Sequence, residues 1–227
     1  MNKAIKIVLA VSLIFLSLAS RAESDSHPMI QFKISSLQLF SSFSSFIYFQ
    51  GDDRNRTRLL NAKNRGDQAI AALPDSEVEL KLKWKEISEY VESYQSYNFD
   101  GVDMSLEGGW SILQRELNEL IAGKAVTKAT GISAIQINME TILSQYMGYA
   151  NSTTGGYGVS YGDTPLEDQI KSLKQELTIL ADADSRYQPL VKKWSYIQGT
   201  LLAYNSNVAP FVVLHTFDGM RKMIASE

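Results

Sequence analysis

The sequence predicts an all-α protein: one or two helical bundles, built as tandem copies of a four-helix unit in one elongated or two-lobed domain. Three observations predict it. Apolar residues recur at three- and four-residue steps along almost the whole chain, with no sustained alternation of period two. Pro, Gly, Asn and Asp break these stripes into helix-length pieces. One stripe also recurs: Leu80, Trp84, Ile87, Val91 and Tyr94 are matched in type by Leu190, Trp194, Ile197, Leu201 and Tyr204, at an offset of 110.

The chain begins with basic Lys3 and Lys6, an apolar run from Ile7 to Leu18, and Ser20-Arg21-Ala22 before an acidic stretch. This is the pattern of a secretory signal peptide over 1–22, cleaved near Ala22, because the apolar run falls short of the roughly 20 residues that span a bilayer. The expected address is the periplasm or the exterior, with no transmembrane segment in the mature chain. Removing residues 1–22 leaves 19 basic side chains against 25 acidic ones, a charge of −6. Such a chain lacks the basic surface that a nucleic-acid partner needs. The 227 residues include no cysteine, which excludes disulfides, thiolate metal sites and a lipid-bearing cysteine. Packing alone must hold the fold, and about 205 residues can bury roughly 70% of their unfolded surface.

Each element has a local reason. The first helix is expected over about 29–50, after Pro28, with Phe32, Leu37, Leu39, Phe40, Phe43, Phe46 and Ile47 interleaved with six serines between Ser35 and Ser45. It is apolar enough to be deeply buried, and its serines permit close helix contact. Gly51 to Asn55 interrupts, and a second helix runs to about Leu73 before Pro74. Ser76 and Glu79 suggest a capping box for a third helix over about 76–97, and Asn98 to Asp103 form a turn-rich loop before a fourth that ends near Gly123. A long fifth helix is expected over about 132–150. A Gly/Tyr-rich segment, 151–163, follows, and Thr164-Pro165-Leu166-Glu167 reads as a helix start with Thr as the cap. Helices over about 165–183, 186–205 and 216–226 complete the chain.

The first helix matches the fifth at an offset of 100 (Leu37, Leu39, Phe43 and Phe46 over Ile137, Met139, Leu143 and Tyr146), whereas later helices match at 110. A ten-residue insertion in the Gly/Tyr segment accounts for the shift. The units are expected over 23–123 and 124–227, each with the connectivity of an up-down bundle.

The copies differ most in their second helix. The later one carries Leu166, Ile170, Leu173, Leu177 and Leu180 where the earlier has Arg56, Leu60, Lys63, Asp67 and Ile70. Arg56, Lys63 and Asp67 could therefore line an interior site for an anionic ligand, since buried charges need partners. Alternatively the helix turns to bury Leu59, Ala62, Gly66, Ala69 and Leu73, an equally regular face. Arg54, Arg58 and Arg65 concentrate positive charge in an acidic chain and could dock an acidic partner, or form a solvated face paired with nearby aspartates. Tyr157 and Tyr161 give the Gly/Tyr loop the contact area of a partner-binding segment.

Enzyme signatures are missing: no Glu-x-x-His pair, His-Glu-x-x-His motif or Gly-x-Ser-x-Gly elbow occurs. The only cofactor the residues could hold, a haem on His215 with a methionine, rests on a lone histidine, and none is expected. The function expected is that of an exported, non-enzymatic bundle that binds another envelope or extracellular protein. The alternative is a periplasmic bundle that binds or senses an anionic small molecule.

Overall fold

A computed structural model describes residues 27–94, 104–124, 129–152 and 164–225. The segment 1–22 expected to be a signal peptide, residues 98–103 expected to form a loop, and Tyr157 and Tyr161 lie outside the described residues. Among those described, the fold is all helical: α1 Pro28–Tyr48, α2 Asp53–Ala71, α3 Val78–Tyr94, α4 Met104–Ala122, α5 Gly131–Ser152, α6 Leu166–Ala183, α7 Gln188–Leu202 and α8 Pro210–Ala225, with a 3-10 turn at Ser185–Tyr187 and no strand.

α1 is the centre of the molecule. It starts with Pro28 in its first turn and with His27 as cap, Nδ1 accepting from the Met29 amide at 3.3 Å. Fifteen of its 21 residues are buried because it is covered by α2 on one side and α5 on the other. Its serines make this possible. Ser36, Ser42 and Ser45 donate their hydroxyls to the carbonyls of Lys33, Gln38 and Ser41 at 2.8, 2.6 and 2.6 Å, so small polar side chains are buried without orphaned groups. α1 ends in a Schellman turn: the amides of Gln50 and Gly51 donate to Ile47 and Phe46 at 3.0 and 2.8 Å, and both residues have positive φ, 53° and 73°.

α2 buries Leu59, Ala62, Gly66, Ala69 and Ile70, with Leu73 just beyond, so it is the small-residue face that turns inward. Gly66 is required there. A Cβ on it would lie 2.1 and 2.2 Å from two ring carbons of Trp84, which packs edge-to-face on Phe32. α3 buries Leu80, Trp84, Ile87 and Val91, and α7 buries Leu190, Trp194, Ile197 and Leu201.

Several helix starts differ from the sequence expectation. The bond from the Lys81 amide to the Glu77 carbonyl makes Glu77 the position preceding α3, and Ser76 lies in the turn before it. Pro165, with ψ of 146°, takes the cap position of α6 that Thr164 was expected to hold, and no side chain caps that end. Glu167 instead accepts from the Tyr204 hydroxyl at 2.8 Å, tying the start of α6 to the end of α7. α8 begins at Pro210, six residues earlier than expected, because Pro210, Val213, Leu214 and Phe217 bury one continuous face that repays extending the helix. α5 runs through Ser152, and Asn151 donates to the Ser44 carbonyl at 3.0 Å.

Two apolar clusters form. One draws on α1 to α4 and includes Phe32, Phe43, Leu59, Trp84 and Trp110. The other draws on α5 to α8 and includes Leu143, Ile170, Trp194, Phe217 and Met220. Tyr48 and Phe49 reach from the first group of helices to the second cluster, and Ile137 reaches back to the first. No described helix is long and apolar enough to cross a membrane.

Candidate functional site

Arg56, Lys63 and Asp67 do not share one site. Asp67 Oδ1 accepts from the buried Trp84 indole N–H at 2.8 Å, and its other oxygen pairs with Lys63 at 2.9 Å. Lys63 also pairs with Glu92 at 2.9 Å. Burial opposes the charge on Lys63, but the hydrogen bonds to Asp67 and Glu92 outweigh it and raise its pKa. These residues join α2 to α3. Arg56 lies elsewhere, over the Phe46 ring at 5.2 Å, donating to the Gly51 carbonyl at 3.0 Å. The position of Asp67 has a direct comparison: Leu177, 110 residues on, offers no acceptor, and the indole N–H of Trp194 is buried without a partner among the described residues.

Arg54, Arg58 and Arg65 do converge. They line a cleft of about 580 Å³ where α1 and α2 meet α5 and α8. Thr57 and Asn61 lie between them, and Gln136, Arg221 and Lys222 come from the other side. At the base is a buried polar network. Glu140, 2% exposed, accepts a fork of hydrogen bonds from Arg221 Nε and Nη2 at 2.7 and 2.5 Å, and another from Gln38 Nε2 at 3.1 Å. Arg221 Nη1 pairs with Asp218 at 3.0 Å, and the other Asp218 oxygen binds Arg58 at 2.5 Å. Arg58 is held in turn by Asn55, whose amide is capped by Asp52 at 2.7 Å. A chain of bonds thus runs from the start of α2 through α8 to α5 and α1. Burial would discharge Arg221, but Glu140 and Asp218 raise its pKa instead.

Among the described residues the cleft holds more positive than negative charge. Four arginines and one lysine line it against two carboxylates, Glu140 and Asp218, both already engaged. Arg54 and Arg65 make no ion pair among the described residues. Arg65 Nε donates to Gln38 Oε1 at 3.0 Å, which leaves the two terminal nitrogens of its fork to the cleft. Partial burial and the neighbouring Arg221 cation lower the pKa of Arg65. Arg54 lies over Phe211 at 5.4 Å. Beyond it a recess of about 100 Å³ continues between Phe49, Phe211 and His215. A second groove, of about 490 Å³ at α3 and α4, has no such excess, since Glu79, Glu116 and Glu119 face Lys83 and Lys124.

Besides the engaged Glu140 and Asp218 and the apolar Met139 and Ile224, the groups lining this cleft include guanidiniums, an ammonium and side-chain amides, which bind anions by charge-assisted hydrogen bonds. Among the described residues no group of three metal-ligating side chains forms.

Sequence reading found the arginines of α2 but not their partners Gln38, Glu140, Asp218 and Arg221. One signal was present: at the offset of 100 that aligns α1 with α5, Glu140 falls on Phe40, an acid at a core position. Comparison of the chain with family models, with curated proteins and with solved structures gives no match.

Proposed function

We propose that this is an exported, non-catalytic binding protein whose ligand is an anion held in the cleft between α2 and α8. The observation that carries the reading is the pair Arg54 and Arg65, on one face of α2, without a carboxylate partner among the described residues, in a cleft whose described acids, Glu140 and Asp218, are already bonded. Cations spaced along one helix face with few acids beside them give the cleft a positive potential, which draws in an anion. The buried network beneath fixes the cleft before binding, which limits the ordering cost. Export rests on the signal-like segment 1–22.

We also propose that the chain is a duplicated four-helix unit. Its support is the match of burial along α3 and α7, where Leu80, Trp84, Ile87 and Val91 correspond one for one to Leu190, Trp194, Ile197 and Leu201. In this view the anion site arose where the two copies meet.

Isothermal titration at low salt tests the binding reading, with inorganic phosphate, sulfate and citrate as probes. At least one is expected to bind, more weakly as salt is added, and Arg54→Ala with Arg65→Ala is expected to lower its affinity tenfold or more. If neither these nor any longer polyanion binds, or if the double variant binds as tightly as the parent, the reading is wrong.

A further inference from the structure

The shape and lining of the cleft say more about the ligand than its charge does. Arg54, Arg58 and Arg65 stand at positions i, i+4 and i+11 of α2, so at 1.5 Å per residue the row is about 16 Å long. One phosphate or carboxylate cannot reach both ends. The cations are also not contiguous: Thr57 and Asn61 lie between them, with Gln136 facing from α5. Amide groups both donate and accept, and so complement hydroxyls. At the Arg54 end the row finishes on Phe211, whose ring has the Arg54 guanidinium over it and stacks on His215 but is 59% exposed, so it adds apolar surface beside the cation.

We infer that the ligand is a linear acidic oligosaccharide, lying along α2 with its carboxylates on Arg65 and Arg54, its hydroxyls on Asn61 and Gln136, and a sugar ring on Phe211. This rests on the anion-binding reading above and gives it a substrate class. An acidic peptide fits less well. Arginine clusters also recognise acidic peptides, but an acidic side chain brings no hydroxyl to the amides of Asn61 and Gln136 that stand between the cations.

Titration of the full chain with oligogalacturonates of one to four units tests the inference, with citrate and a pentaglutamate peptide as comparison probes. Affinity is expected to rise with chain length and level off once the row is spanned. Arg54→Ala is expected to cut affinity for the longest oligomer about tenfold while leaving the monomer unchanged, and Phe211→Ala to weaken only the longer oligomers. Both changed side chains are exposed, and circular dichroism checks that the fold is kept. If affinity is flat with length, or citrate or pentaglutamate binds as tightly as the trimer, the oligosaccharide inference falls and anion binding stands. If no probe binds, both fall.

Discussion

Replacing Gly66 by alanine tests how α2 is seated against α3. In an unencumbered helix the substitution stabilises by up to about 1 kcal/mol, because glycine loses more backbone entropy than alanine. Here the new methyl would lie 2.1 and 2.2 Å from two carbons of Trp84, against a normal carbon contact of about 3.5–4.0 Å. The indole cannot easily give way. It is buried, set edge-to-face on Phe32 with centroids 5.4 Å apart, and hydrogen-bonded to Asp67 at 2.8 Å. Overpacking of this kind costs about 1–3 kcal/mol and more where nothing can relax, so the net expectation is a loss of about 2 kcal/mol. For a chain of this size that lowers Tm by roughly 4–8 °C. Gly199 is the internal control: it is exposed on α7, and a Cβ there meets nothing within 4 Å, so Gly199→Ala should stabilise by about 1 kcal/mol. The assay is urea denaturation followed by circular dichroism, with Trp84→Leu added to close a double-mutant cycle. Removing the indole should make Gly66→Ala far less costly, with a coupling above about 1 kcal/mol. A Gly66→Ala protein as stable as the parent would refute the packing argument.

The remaining predictions concern a turn, an ion pair and a titration. Gln50 sits at φ of 53° in the α1 cap, where a side chain costs about 1 kcal/mol, so Gln50→Gly should raise stability by about that much in the same denaturation assay; a loss would contradict the assignment. Glu140→Ala leaves Arg221 with one of its two carboxylates and should cost about 3 kcal/mol, whereas Glu140→Met with Arg221→Met should cost much less than the two single changes together. Additive losses would show that the pair does not act as a unit. The hydrogen bond to Glu167, aided by burial, raises the pKa of Tyr204 from 10.0 to about 12. A raised folded pKa means that this bond stabilises fully below pH 10 and is lost as pH climbs toward 12. In an ultraviolet titration of the phenols, Tyr204→Phe should remove a late-ionising group; an unchanged alkaline limb would count against it.

Much of the candidate site was half legible. The arginines of α2 stand out in an acidic chain, and their i, i+4 spacing places Arg54 and Arg58 on one face without any structure. What could not be read is which acids would neutralise them. Asp67 pairs with Lys63 one turn away, but its other oxygen goes to the indole of Trp84 and not to Arg65, while Arg58 finds Asp218 160 residues away. Glu140 and Arg221 look like isolated charges until α5 and α8 bring them together.

The sequence by itself determined the helices, because a helix depends on contacts three and four residues apart and on caps and breakers that are local. It also determined that α1 would be buried, since no polar face remains once its serines are counted as small. The tertiary structure decided which face of α2 turns inward. Two stripes on that helix were equally regular, and the choice fell to the one where Gly66 leaves room for a tryptophan from α3. It also decided where charge accumulates. The cleft exists only because α1 packs against α5, setting α2 beside α8, and such pairings between residues a hundred or more positions apart depend on shape across an interface that no local pattern encodes.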